Sequence, residues 1–79
     1  IEFKGKIEHI YDGEESAYIV PLNPNENAFF NIGAVCDQAN YNQESVFSER
    51  SEGDIVFIKG TVNYASVNLG YSISIDEVY

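Results

Sequence analysis

The stretch GDIVFIKGTV, residues 53–62, carries the strongest fold signal in the chain. It begins with a Gly-Asp turn and is rich in β-branched and aromatic residues, which pack well on a pleated surface. Alternation places apolar side chains on both faces of this predicted strand: Val56, Ile58 and Val62 on one, Ile55 and Phe57 on the other. We therefore expect the strand to be covered on both sides. Its second glycine, Gly60, would let the strand bend.

Four further segments have the pattern of strands. They cover residues 1–11, 17–22, 28–36 and 67 to about 75. Turn and loop residues separate the predicted strands at 12–16, 23–27 and 63–66. In the first strand the alternation slips at residues 8–10 and Gly5 interrupts the run, which indicates a bulged strand that curves around a small barrel.

Residues 40–50 break the strand pattern. Asn40 and Gln43 have the spacing of a capping box, and Val46 with Phe47 supplies an apolar stripe, so this segment predicts one short helix. The predicted fold class is all-β: a five-stranded OB-fold Greek-key barrel with one short helix between strands 3 and 4, as a single domain over residues 1–79. The predicted core consists of the apolar residues that would face inward: Phe3, Ile7, Val20, Leu22, Phe30, Ile32, Val56, Ile58, Val62, Val67 and Leu69.

The same residues resemble a known family. The motifs are KGKI at 4–7, IVPL at 19–22, a strand that ends at Cys36, EGDIVFIKGTV at 52–62 and VNL at 67–69. Over the whole chain they resemble the bacterial tRNA anti-like (anticodon-binding-like) OB-fold family, and the 53–62 segment is the most specific of them. The resemblance implies an OB barrel and, by fold analogy, nucleic-acid binding. It also implies a secreted or envelope-tethered protein, with the cytoplasm as the alternative.

The charge balance separates the possible partners. The 79 residues include four Lys or Arg and thirteen Asp or Glu, for a formal net charge of −9. Nucleic-acid binding draws much of its affinity from cations that neutralise phosphates, and these four cations are scattered along the sequence. Nucleic acid is therefore disfavoured as a partner, and a basic protein is favoured. No apolar run approaches the roughly 20 residues of a membrane span, so we expect no membrane insertion.

The chain offers few candidates for nucleophilic catalysis. His9 and Cys36 are the only histidine and cysteine, and they fall on different predicted strands. No nucleophile, phosphate-loop or zinc-protease motif occurs. We therefore predict that the protein is not an enzyme, that it has no catalytic residues and that it carries no cofactor.

Two loops offer the oxygen ligands that calcium prefers. One contains Asp12, Glu14 and Glu15, and the other, at 23–27, has Asn at alternate positions. A calcium loop that starts at residue 23 would need a bidentate glutamate where Ala34 lies. We interpret both loops as solvated turns and predict no metal site.

The usual binding surface of an OB-fold is the face of strands 2 and 3, between the loops that join strands 1–2 and 4–5. The candidate binding residues are those of this face and its two walls: Phe29, Asn31 and Val35 on strand 3, Asp12, Glu14 and Glu15 in the first loop, and Tyr64 in the second. Aromatic residues on such a surface can stack on bases or anchor a protein partner.

The leading hypothesis is a non-enzymatic binding module that contacts a basic protein through an acidic face with aromatic anchors. One version is an inhibitor whose carboxylates mimic the phosphates of a nucleic acid. Two alternatives stay open. The first is binding of single-stranded nucleic acid or oligosaccharide on the strand 2–3 face. The second is a structural domain of a secreted or envelope protein, trimmed at Ile1, where the chain begins without Met.

Overall fold

Five strands close into a barrel in the computed structural model, which describes residues 1–22, 33–39, 44–66 and 70–79. The strands are β1 (Glu2–Ile10), β2 (Ser16–Pro21), β3 (Ala34–Gln38), β4 (Ile55–Ser66) and β5 (Gly70–Val78). Their order around the barrel is β1-β2-β3-β5-β4, and β4 pairs with β1 to close it. β3 and β5 are parallel, and the other neighbours are antiparallel. The predicted all-β barrel of five strands is confirmed.

Most of the predicted core that falls on described residues is correct. Phe3, Ile7, Val56 and Ile58 are buried, and Val62 packs against the core. Phe30, Ile32, Val67 and Leu69 lie outside the described residues. In the described ranges, the predicted core list omits the buried residues Ala17, Ile19, Ala34, Cys36, Phe47, Ile73 and Ile75, although alternation in the third predicted strand turns Ala34 and Cys36 inward, as observed.

The prediction of which β2 residues face the core is wrong by one position. Ile19 lies directly opposite Ile7, and both side chains are fully buried, which turns the odd-numbered residues of β2 inward. Val20 is therefore half-buried on the outer face, and Leu22 is 41% exposed just after the strand. Because side chains alternate with a period of two, a shift of one position moves the whole set to the opposite face.

The bulge predicted in β1 is present. Ile7 pairs with Ile19 and His9 pairs with Tyr18, so Glu8 is the extra residue at a shift in register. Such an insertion bends the strand and increases its twist, which a small closed barrel requires.

Residues 44–54, the described stretch before β4, close one end of the barrel through turns at 46–49 and 52–53. Residues 44–50, which fall in the predicted helix, form no helix but the first of these turns, with Arg50 N donating to Phe47 O at 3.1 Å. The Gln38 side chain donates to Glu44 O at 3.2 Å and accepts from Val46 N at 3.1 Å. These bonds use backbone groups that a helix would need for its own ladder. The helix predicted over 40–50 is therefore not found in residues 44–50, and 40–43 lie outside the described residues.

β4 differs from its prediction at both ends. It continues to Ser66, so the connection predicted at 63–66 is part of the strand. At its start Ile55 is 47% exposed, which contradicts the expectation that both faces are covered. Phe57 is half-buried beside Tyr79, with their ring centroids 5.9 Å apart.

Gly60 lies where β4 shifts register against β5. A Cβ at this position would collide with the backbone carbonyl of Ser74 and would come within 3.0 Å of Ile73 Cγ2. We predict that Gly60→Ala lowers the free energy of unfolding by about 1–3 kcal/mol, because the backbone of β5 must move away. Urea unfolding measures this cost. The exposed neighbour offers a control, Thr61→Ala, for which we expect a change of about 0.5 kcal/mol. Equal costs would contradict the close approach of β4 and β5.

Candidate functional site

Four strands each contribute one residue to a row across the outside of the barrel. Tyr18 pairs with Val35, Val35 with Ser72, and Ser72 with Tyr64. Val35 is 37% exposed and Tyr64 is 49% exposed, while Tyr18 and Ser72 are half-buried. Three steps between neighbouring strands make this tyrosine row about 14 Å long. The structure thus places the predicted residues Val35 and Tyr64 on one continuous surface.

A glycine beneath the row positions one of its rings. Gly33, just before β3, has no room for a side chain because a Cβ there would collide with the ring of Tyr18, 2.5 Å from Cε1. The Tyr18 ring therefore lies against the backbone of Gly33. Tyr18 is half-buried at this end of the tyrosine row.

A second, polar row runs parallel to the tyrosine row. Ser16 pairs with Asp37, Asp37 with Ser74, and Ser74 with Thr61. Ser16 Oγ donates to Asp37 Oδ1, and Asn63 Nδ2 donates to Ser74 Oγ at 2.5 Å. This row is displaced from the tyrosine row by two residues along the strands, which is the repeat of side chains on one face. It therefore brings a carboxylate and several hydroxyls beside the tyrosines.

The turn between β1 and β2 presents the predicted carboxylates. Asp12 and Glu14 are exposed and Glu15 is half-buried; we call these three residues the acidic turn. Gly13 and Glu14 both have positive φ, at 89° and 59°. For Glu14 this is an uncommon conformation, which its backbone contacts hold in place.

Backbone hydrogen bonds fix the acidic turn to the rest of the barrel. Gln38 N donates to Glu15 O at 2.8 Å, and Phe47 N donates to Glu14 O at 3.1 Å. The side chains of Asp12 and Glu14 point into solvent from this anchored backbone, and Ser16, the first residue of the polar row, follows directly. The carboxylates of the turn and the tyrosine row therefore form neighbouring parts of one surface, separated by the polar row.

The charge on this surface is negative. The acidic turn is hydrogen-bonded to the segment that carries the exposed residues Glu44 and Glu49 and the half-buried Arg50, and the polar row adds Asp37. None of the chain's Lys or Arg residues belongs to either row. The surface is therefore suited to a cationic ligand.

Two predicted site residues, Phe29 and Asn31, lie outside the described residues. Tyr18, Ser72 and Asp37 were missed by the sequence prediction. The correct register of β2 would have placed Tyr18 on the outer face, because it lies between the inward-facing residues Ala17 and Ile19. No sequence signal marks Ser72, because its place depends on the parallel pairing of β3 with β5.

The chain's one cysteine and one histidine lie in different surroundings. Burial raises the pKa of the Cys36 thiol to about 12, which keeps it protonated and unreactive at neutral pH. His9 Nδ1 lies 3.0 Å from Glu52 Oε2 at the surface, with both side chains more than half exposed. Within the described ranges, no three His, Cys, Asp or Glu side chains come together in a way that could hold a metal ion. No helix in the same ranges has the length and apolarity to cross a membrane.

Comparison of the chain with protein-family models, with curated proteins and with solved structures found no match. The resemblance to the tRNA anti-like family therefore stays a prediction.

Proposed function

We propose that this protein is a non-enzymatic binding module of the OB-fold type that binds a basic segment of a partner protein. The order β1-β2-β3-β5-β4, with β3 and β5 parallel and β4 closing on β1, supports the OB-fold assignment. The fold does not need the predicted helix. Phe47 lies in a turn at the end of the barrel, and its side chain is fully buried there.

The observation that carries the proposal is the position of the tyrosine row beside carboxylates. The face of a tyrosine ring attracts an ammonium or guanidinium group by about 0.5–1 kcal/mol at exposed sites. Carboxylates accept charge-assisted hydrogen bonds from the same groups. A Lys- or Arg-rich segment that crosses the rows would meet the rings of Tyr18 and Tyr64 and the carboxylates of Asp37 and the acidic turn.

The same surface disfavours a nucleic acid. Stacking on tyrosine is open to any base, but phosphates would lie against carboxylates with no cation in either row to neutralise them. One form of the proposed function is an inhibitor whose carboxylates take the place of phosphates on a nucleic-acid-binding partner. The basic surface of such a partner would then be the ligand.

A synthetic Arg/Lys-rich peptide tests the proposal in 0.15 M NaCl. We predict that Asp12→Lys, Glu14→Lys and Glu15→Lys together weaken peptide binding by about tenfold or more, mainly through slower association. The matched control reverses Glu2, Asp76 and Glu77, three exposed acids outside the acidic turn. Both triple variants change the net charge by +6, from −9 to −3, so a difference between them reports position rather than net charge.

Tyr64→Ala tests the aromatic part of the same surface. We expect dissociation of the peptide to be about two- to fivefold faster, because one exposed cation–π contact is lost. If the two triple variants weaken peptide binding equally, net charge explains the effect, and the acidic turn is not the binding site. Micromolar binding of single-stranded RNA or DNA at 0.15 M salt, lost in Tyr64→Ala, would replace the basic partner with a nucleic acid.

A further inference from the structure

Three of the four Lys and Arg side chains, scattered in sequence, share one outer face of the barrel. Lys4 and Lys6 are exposed on β1, and Lys59 is exposed on the neighbouring strand β4. Lys59 Nζ lies 3.9 Å from Glu2 Oε1; neither this pair nor the His9–Glu52 pair includes Lys4 or Lys6. Lys59 lies between two carboxylates, Glu2 on β1 and Glu77 on β5, so Lys4 and Lys6 supply the positive charge of this face.

Apolar side chains flank Lys4 and Lys6 on both neighbouring strands. Leu22 N donates to Lys4 O at 3.0 Å, which places Leu22 beside Lys4, and Phe57 is the partner of Lys4 on β4. Lys6 lies between Val20 and Ile55. We call these residues, with Lys59, the lysine face.

Lysine stems often cover apolar neighbours while the ammonium stays in water. Here that cover is incomplete, because Leu22 remains 41% and Ile55 remains 47% exposed beside the lysines. Exposed aliphatic residues grouped with cations on one face are the chemistry of a docking surface for an acidic, partly apolar group.

We propose that the lysine face binds the acidic turn of a second copy of this chain, so that copies associate head to tail. This inference rests on the proposed function, because it names a second copy as one basic partner of the acidic turn. The turn carries matching chemistry: Asp12 and Glu14 supply exposed carboxylates for the lysines. Tyr11, 40% exposed at the start of the turn, supplies a ring for Leu22 and Ile55.

Neither ion pair described above joins the acidic turn to the lysine face within one chain. A dimer held by one contact between these two different surfaces is heterologous, and it leaves one lysine face and one acidic turn free.

Net charge opposes this association, and local charge favours it. Two copies at −9 each repel, but at 0.15 M salt the screening length is about 8 Å, so close ion pairs outweigh repulsion between distant carboxylates. A contact made by one turn and part of one face is small, and we expect a transient complex with micromolar or weaker affinity.

Sedimentation velocity at 0.15 M NaCl tests the inference through charge swapping. We expect the wild-type sedimentation coefficient to rise with concentration, and two double variants to stay monomeric. One reverses the lysine face, Lys4→Glu with Lys6→Glu, and the other reverses the turn, Asp12→Lys with Glu14→Lys. Mixed in equal amounts, the two variants should associate again, because both contacts can re-form between unlike chains.

Net charge cannot explain such a rescue. Each reversal changes the charge by 2, so the variants carry −9 − 4 = −13 and −9 + 4 = −5, and both remain negative. Ile55→Asn leaves the charge unchanged and should weaken wild-type association by about tenfold if its exposed side chain is buried in the contact. Unchanged unfolding midpoints in urea would show that the variants fold.

The two proposals can fail separately. A wild-type protein that stays monomeric, with peptide binding still lost on reversal of the acidic turn, would overturn the self-association and leave the proposed function standing. A second outcome is that the mixed variants associate again while reversal of the acidic turn leaves peptide binding unchanged. That result would support the contact between copies and overturn the proposed binding of basic segments in general. Binding to vesicles with phosphatidylserine that depends on Lys4 and Lys6, without self-association, would replace the second copy with an anionic lipid surface.

Discussion

Phe47→Ala is expected to lower the free energy of unfolding by about 3–5 kcal/mol, the cost of removing a buried aromatic side chain and leaving a cavity. Phe47 is the largest of the fully buried side chains in the described ranges, yet it lies in a turn rather than in a strand. A domain of this size has a stability of only about 5–15 kcal/mol, so the variant should lose a large part of it.

Urea unfolding provides the measurement, and Phe57→Ala provides the control. Phe57 is also a phenylalanine, but it is half-buried on the outside of the barrel beside Tyr79. We expect its truncation to cost about 1 kcal/mol, because less area leaves water and no internal cavity forms. Similar costs for the two variants would show that the turn at 46–49 does not close the barrel end.

The effect should reach the binding surface as well. Phe47 N donates to Glu14 O at 3.1 Å, so the position of this turn and that of the acidic turn are linked. Where Phe47→Ala still folds, peptide binding should weaken even though the variant keeps every carboxylate.

The sequence predicted β1 and the start of β4 well, because polar and apolar residues alternate in β1 and because the Gly-Asp turn at 53–54 comes directly before β4. It assigned the wrong face of β2 to the core because apolar residues occur at both odd and even positions, as with Ile19 and Val20. The choice between them is made by pairing with β1, where Ile19 lies opposite Ile7 just before the bulge at Glu8. That information is not local to β2.

The predicted helix shows the same limit. The capping signal at Asn40 and Gln43 and the apolar pair Val46 and Phe47 are local features. In the described part of the segment, the backbone instead bonds to the side chain of Gln38 at the end of β3 and to Glu14 O, which is distant in sequence. Tertiary contacts override propensity in a segment this short.

The candidate site was predictable in part. The acidic turn is evident from composition and turn chemistry, and alternation in β3 correctly turned Val35 outward. The link from Val35 to Tyr64 passes through Ser72 and needs the pairing of β3, β5 and β4. The lysine face likewise depends on the pairing of β1 with β4, so neither surface could be assembled from residue spacing alone.

Alkaline pH is expected to destabilise the protein through Cys36. Burial raises the pKa of its thiol from 9.0 to about 12, whereas in the unfolded chain the thiol is exposed and keeps the ordinary value. Between these values the unfolded chain releases the proton and the folded chain keeps it, so rising pH favours unfolding. The contribution is fully present below pH 9 and is lost above it. The free energy of unfolding should fall by about 1.4 kcal/mol per pH unit, or about 4 kcal/mol by pH 12.

Cys36→Ala isolates the contribution of this thiol. Above pH 9 the wild type should lose more stability than the variant, by the slope given above, because only the unfolded wild type gains a thiolate. A thiol reagent gives an independent readout at pH 8: its reaction with the wild type should proceed at the rate of unfolding, since Cys36 is fully buried. Two outcomes would mean that water reaches Cys36. One is that the free energies of unfolding of the two proteins change in parallel with pH, and the other is that the reagent reacts with the folded wild type as fast as with the protein in urea. The interior formed by β2, β3 and β5 would then be open around it, and the outer rows that these strands carry would lose the rigid support on which the proposed binding surface depends.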